Sequence, residues 1–218
     1  FRHNDPTDLD HALARVRGAG ERWVITESVF SMDGDRAPLK ELATVCRKHG
    51  ARLYVDEAHG TGVWGPDGRG WVNEQGVVDQ VDVCMGTLSK AFGAQGGFVC
   101  GSGPLIQWAI NRSRAFIYST ALAPSSVGAA RAALKIVLEE PDRRKRLFEM
   151  SHRLWRGLGL DGQGPIVPFI VGEEPRALSL SAVLWEAGIF APAVRFPTVP
   201  KGQARVRFSV TAAHSAEE

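Results

Sequence analysis

Three short strings hold residues able to do covalent chemistry. Tyr54-Val55-Asp56-Glu57-Ala58-His59 sets a carboxylate and an imidazole three residues apart, just past an apolar run. Gly86-Thr87-Leu88-Ser89-Lys90 sets two hydroxyls and a primary amine after another, and Glu27 closes a third. In an open α/β sheet ligands sit beyond the carboxyl ends of the strands, so the polar residues that close such runs converge on one rim. A lysine there, among small and hydroxylated neighbours, can form a Schiff base with an aldehyde cofactor. Pyridoxal phosphate also needs a carboxylate against its ring nitrogen, so that the ring stays protonated and draws electrons. Asp56 suits that carboxylate, His59 a donor near the ring hydroxyl, and Thr87 and Ser89 the phosphate. The glycine-rich stretch after Lys90 lets backbone approach a bulky group.

Asp56-Glu57-Ala58-His59 also spells the acidic box of a DEAH helicase. That class needs a phosphate-cradling GxxxxGK[ST] loop, and no such string occurs here; Lys90 stands in the wrong register after Gly86. The net charge of +2 is close to neutral, and the single basic run, Arg143 to Arg146, follows Glu139, Glu140 and Asp142 as on a solvated helix face. A nucleic-acid partner is therefore not expected. No apolar stretch approaches the ~20 residues that span a bilayer, and no signal peptide is read. Cys46, Cys84 and Cys100 share no metal-type spacing; buried free thiols in a reducing, cytoplasmic compartment are expected, with no metal site.

Helices and strands alternate along the chain. Helical spacing predicts helices over 7–18 (capped by Asp5 or Thr7), 37–50, 103–114, 125–139 and 142–158. Short β-branched runs predict strands in 22–30, 51–58, 81–88 and 96–101. Such runs, lacking polar alternation and separated by helices, imply a mostly parallel sheet buried on both faces. From about residue 160 the texture changes to strand, helix and strand, with Ala204 to Thr211 alternating as if one face were wet. The expected division is residues 1–158, part of a large α/β domain, and 159–218, part of a small α+β domain. Phe1 reads as mid-domain sequence and Ser215-Ala216-Glu217-Glu218 as the start of a new helix, so a fragment lacking material at both ends is expected.

The strings TESVFSMDGDRAPL, YVDEAHGTGVWGPDGRG, GTLSKAFGAQGGFV, FIYSTALAP and RFPTVPKGQARVRFSVTAAHS resemble successive blocks of the α-oxoamine synthases, in that family's order. These are fold-type I pyridoxal-phosphate enzymes that condense an amino acid with an acyl thioester and release carbon dioxide. The resemblance spans essentially the whole chain. It implies L-alanine and a pimeloyl thioester, carried by CoA or an acyl carrier protein, as in biotin biosynthesis; glycine is the rival amino donor. The pimeloyl-using members usually have Pro where this chain has Phe196, which bears on the acyl substrate.

The resemblance also implies roles. Lys90 is the Schiff-base lysine and proton carrier, Asp56 pairs with the ring nitrogen, and His59 touches the ring hydroxyl. Thr87 binds phosphate, with Ser119 or Thr120 reaching in from the second subunit of a homodimer. Glu27 and Ser31 line the site, Arg207 holds the amino-acid carboxylate, and Thr198 lies near the substrate. A planar guanidinium suits a carboxylate better than an ammonium does. Arg205 and Arg207 share one strand face, however, so the residues alone leave the choice between them open. The phosphate-holding glycine segment and the group that stacks on the cofactor are expected upstream of Phe1. A non-catalytic, dimerising remnant of the fold is the alternative of a different class.

Overall fold

A computed structural model describes residues 1–215; Ala216 to Glu218, where the sequence suggests a new helix, lie outside the described residues. Contacts divide the chain into two compact units, Phe1–Val29 with Arg36–Glu140, and Phe30–Asp35 with Pro141–Glu218.

The first unit opens with α1 (Pro6–Arg15), where Asp5 accepts the Asp8 N–H at 2.8 Å and Pro6 occupies the first turn. Of the two expected caps, Asp5 is the one used, and it satisfies an amide that has no partner inside the helix. Strand β1 (Trp23–Glu27) is followed by α2 (Leu39–Lys48), which buries Leu39, Leu42, Ala43 and Cys46 at helical spacing. Gly50, at φ +60°, then turns the chain into β2 (Arg52–Asp56). A glycine-rich loop leads to the short α3 (Trp71–Glu74) and then β3 (Val83–Thr87) and β4 (Gly97–Gly101). Helices α4 (Gly103–Arg112), α5 (Arg114–Ile117) and α6 (Pro124–Glu139) complete the unit. The two short helices α3 and α5 have no counterpart in the periodicity, being too brief to show one.

The strand order is β1-β2-β3-β4, with β1, β2 and β3 parallel and β4 antiparallel to β3. The loop 88–96 is too short for a crossover, which forces the antiparallel return. The expected burial on both faces does not hold for this chain. Leu53 and Val55 are buried, but Ile25 is 68% exposed and every residue of β4 is exposed. An unalternating apolar run reports that both faces are apolar; it does not report what covers them.

The second unit is α+β: α7 (Pro141–Gly157), β5 (Ile166–Gly172), α8 (Glu174–Glu186), β6 (Ala193–Val194) and β7 (Ala204–Ser209). The sheet is antiparallel, in the order β5-β7-β6. Its core joins Trp155 of α7 to Val167 and Val210, with Leu147, Met150, Leu154 and Phe208 around them. This packing places 141–158 with the second unit, whereas the change in composition comes after that helix. The loop Phe30–Asp35 interrupts the first unit in sequence and belongs to the second by contacts. It also changes β7: Ala204, Arg205 and Val206 are all buried, so the strand lacks the wet face its alternation suggests. Asp33 of that loop pairs with Arg205 and removes it from water.

Trp155 is 6% exposed and its Nε1–H donates to the Gly164 carbonyl at 3.0 Å. Trp155→Ala should therefore cost about 3–5 kcal/mol in urea unfolding; a loss under ~1 kcal/mol would contradict its place in the core.

Candidate active site

Parallel register aligns the strand ends. Glu27 of β1 pairs with Asp56 of β2, and Asp56 with Met85 of β3. Thr87 ends β3, and Ser89 and Lys90 follow it. The structure thus brings Glu27, Asp56, His59, Thr87 and Lys90 to the carboxyl ends of three adjacent strands, the rim where an α/β sheet binds ligands.

Asp56 is half-buried, and its Oδ1 accepts the Ala58 N–H at 2.7 Å, closing an Asx turn. Among the described residues its Oδ2 has no donor. His59 lies in the same turn, half-buried. Lys90 is exposed, and among the described residues its ammonium has neither hydrogen bond nor ion pair. A carboxylate oxygen and an amine, both unengaged at one rim, fit a group that has an aldehyde and a basic ring nitrogen.

Thr87 holds the loop that carries the lysine. Its Oγ1 donates to the Gly96 carbonyl at 3.2 Å and accepts the Ser89 N–H at 3.2 Å, and it lies 2.8 Å from Ser89 Oγ. Leu88 and Gly96 continue the ladder past the strand, Leu88 N–H donating to Gly96 O at 2.9 Å. Ser119 and Thr120 stand exposed after α5, without a described hydrogen bond.

Three further residues belong to the second unit. Arg207 is half-buried; its Nε–H donates to the Ser31 carbonyl at 2.6 Å and its Nη1–H to Ser209 Oγ at 2.8 Å. Burial holds its guanidinium below the usual arginine range, and among the described residues it has no carboxylate partner. Arg205, by contrast, is 1% exposed and spent: it donates to Asp33, to Met32 O at 3.1 Å and to Gln203 O at 3.1 Å. Of the two arginines left open by alternation, only Arg207 keeps an unneutralised charge. Thr198 is exposed, its N–H bonded to Arg195 O at 3.0 Å, and Phe196 nearby is 50% exposed with the Lys201 ammonium 5.1 Å from its ring.

One residue escaped the sequence reading. Glu57 is 1% exposed and accepts hydrogen bonds from Ser28 Oγ at 2.8 Å and from the Val72 N–H. Burial pushes its carboxyl above the usual range against these donors, which favour the charged form. The available signal was the flanking glycines: a Cβ on Gly60 would lie 1.6 Å from the Glu57 carboxylate, and one on Gly70 2.8 Å.

The thiols do not behave alike. Cys46 is buried, Cys84 half-buried and Cys100 exposed, which corrects the expectation of three buried thiols; β4, where Cys100 lies, is uncovered. Burial pushes Cys46 up to about 11 and Cys84 up to about 12. Thiolates are the reactive form, so at pH 8 iodoacetamide should modify Cys100 first and leave Cys46 and Cys84 until the protein is denatured. Peptide mass spectrometry showing Cys84 labelled as fast as Cys100 would contradict this.

A family model described as aminotransferase class I and II matches residues 1–218. The 8-amino-7-oxononanoate synthase of Anaeromyxobacter dehalogenans (strain 2CP-C) is 49% identical over 98% of this chain, which covers 55% of that protein. The chain thus spans about half the length of the curated relatives it matches. Among solved structures, a Sphingomonas wittichii serine palmitoyltransferase superposes with a TM-score of 0.94 at 37% identity, over 100% of this chain and 56% of that one. A second serine palmitoyltransferase structure, with pyridoxal phosphate bound, reaches 0.93 at 34% identity, over 100% and 56% of the two chains. No helix among the described residues is long and apolar enough to cross a membrane. The match along its whole length and the shared fold establish that this chain belongs to the aminotransferase class I and II family.

Proposed function

We propose that the protein takes part in the decarboxylative condensation of L-alanine with a pimeloyl thioester, from CoA or an acyl carrier protein, giving 8-amino-7-oxononanoate for biotin synthesis. The observation that carries this reading is the unengaged Asp56 Oδ2 and Lys90 amine at the ends of adjacent parallel strands, in a chain 49% identical to a synthase of that name. Pyridoxal phosphate, when bound, supplies an aldehyde for a primary amine and a ring that withdraws electrons from the amino-acid α-carbon.

Each residue then has a task. Lys90 supplies the amine that holds the cofactor and moves the proton at the substrate α-carbon. Asp56 Oδ2 accepts from the ring nitrogen and keeps it protonated. His59 donates toward the ring hydroxyl and steadies oxyanion charge as the acyl carbonyl is attacked. Thr87 serves the phosphate, Ser119 or Thr120 joining it from the second subunit of a homodimer, and Glu27 borders the ring. Arg207 takes the amino-acid carboxylate, the Ser31 carbonyl orienting its fork, and Thr198 lies beside the substrate. Carbon–carbon bond formation releases the thiol, and the carboxyl group leaves as carbon dioxide.

A second reading replaces alanine and the pimeloyl chain with serine and a longer acyl thioester, and the likeness to serine palmitoyltransferases favours it. The 49% identity to the Anaeromyxobacter synthase supports the first reading. Thiol release measured for alanine, glycine and serine, each with pimeloyl- and palmitoyl-CoA, decides between them. The highest kcat/KM should fall on alanine with the pimeloyl donor; serine with palmitoyl-CoA in that place would establish the second reading.

Lys90→Ala should lower kcat by at least ~10³-fold with an unchanged circular-dichroism spectrum, in keeping with loss of a nucleophile and proton carrier together. Turnover retained in that variant would sink the assignment. Arg207→Ala should raise KM for the amino acid about 10- to 100-fold, the range for losing a hydrogen-bonded charge pair. Arg207→Lys should recover only part of this, because an ammonium lacks the planar fork. Equal effects of Arg205→Ala and Arg207→Ala on KM would mean that the clamp has been misassigned.

A further inference from the structure

The turn that carries Asp56 and His59 contains a second carboxylate with no task in the proposed chemistry. Glu57 touches four parts of the first unit. Its N–H donates to Met85 O on β3 at 2.7 Å, and its carbonyl accepts Gly60 N–H at 2.9 Å and Thr61 N–H at 2.8 Å. Its Oε2 accepts from Ser28, just past β1, at 2.8 Å, and its Oε1 from the Val72 N–H in α3. Gly60 and Gly70 close around it so tightly that neither could carry a Cβ without displacing the carboxylate.

A buried anion is costly unless its lone pairs are filled. Truncation of this side chain to alanine would leave the Val72 N–H and the Ser28 hydroxyl without their acceptor. Asp56, the preceding residue, is the like charge that faces it, and it raises rather than offsets the cost. Such an arrangement ties the turn to the end of β1 and to α3, in addition to the turn's own bonds.

We propose that Glu57 is a positioning residue: its carboxylate, clamped by Ser28 and Val72, sets the direction in which the Asp56–His59 turn presents its carboxylate and imidazole to the cofactor. The proposal rests on the reading of the strand-end rim as a pyridoxal-phosphate site.

The test compares binding of pyridoxal phosphate and of 3-deoxypyridoxal phosphate, which lacks the ring hydroxyl, to the cofactor-free protein by absorbance titration. The wild type should prefer pyridoxal phosphate by about tenfold, one hydrogen bond's worth, and His59→Ala should lose that preference. Glu57→Ala should fall to within about twofold of the His59→Ala ratio, and Ser28→Ala should lie between it and wild type. General destabilisation lowers both affinities together and leaves the ratio intact. A wild-type ratio in a folded Glu57→Ala overturns the proposal; if that variant does not fold, a wild-type ratio in Ser28→Ala overturns it. A wild type that binds no pyridoxal phosphate, or an unchanged ratio in His59→Ala, overturns the site reading and this proposal with it.

Discussion

The parallel pairing of β1, β2 and β3 is the constraint from which the candidate site follows. Parallel strands end on the same side, so their terminal residues share a rim without any long-range search. Glu27, Asp56 and Met85 stand in one row because of that register, and Thr87 and Lys90 follow two and five residues beyond Met85. A slip of one residue would turn Asp56 to the opposite face of the sheet. The buried residues Val24, Leu53, Val55 and Val83 prevent such a slip, since it would expose them. The apolar core is thus what fixes the position of the polar rim.

Charge is handled in two ways within each unit, and the difference separates structure from chemistry. Glu57 and Arg205 are buried to the same degree, and each is surrounded by partners: Glu57 by donors, Arg205 by Asp33 and two carbonyls. Asp56, Lys90 and Arg207 keep atoms that no described residue satisfies. Satisfied buried charges hold backbone in place; charges lacking a counter-ion, half-buried at Asp56 and Arg207 and exposed at Lys90, are open to a ligand. The same criterion that sets Arg207 apart from Arg205 sets Asp56 apart from Glu57, its neighbour in sequence.

Much of this was legible beforehand because it is encoded locally. Asp5, one of two expected caps, opens α1, Gly50 stops α2, and apolar runs closed by Glu27, Asp56 and Thr87 mark three strand ends. What was not legible depends on distant or missing cover. Arg205 alternates like a residue of a wet face, and only Asp33, far away in sequence, reveals that it is buried. Ile25 and Cys100 look buried by their neighbours, yet no described residue shields them. Glu57 drew no reading of its own, because a carboxylate's burial is decided by donors outside its own string. Gly60 and Gly70 were the local trace of it.

The central claim is that the strand-end rim is a pyridoxal-phosphate site centred on Lys90. Its most direct test is borohydride reduction of the protein incubated with pyridoxal phosphate, followed by peptide mass spectrometry. The account predicts a pyridoxyl group on the peptide containing Lys90 and on no other lysine. No adduct, or one spread over the other lysines, such as Lys40, Lys135 and Lys201, would contradict it.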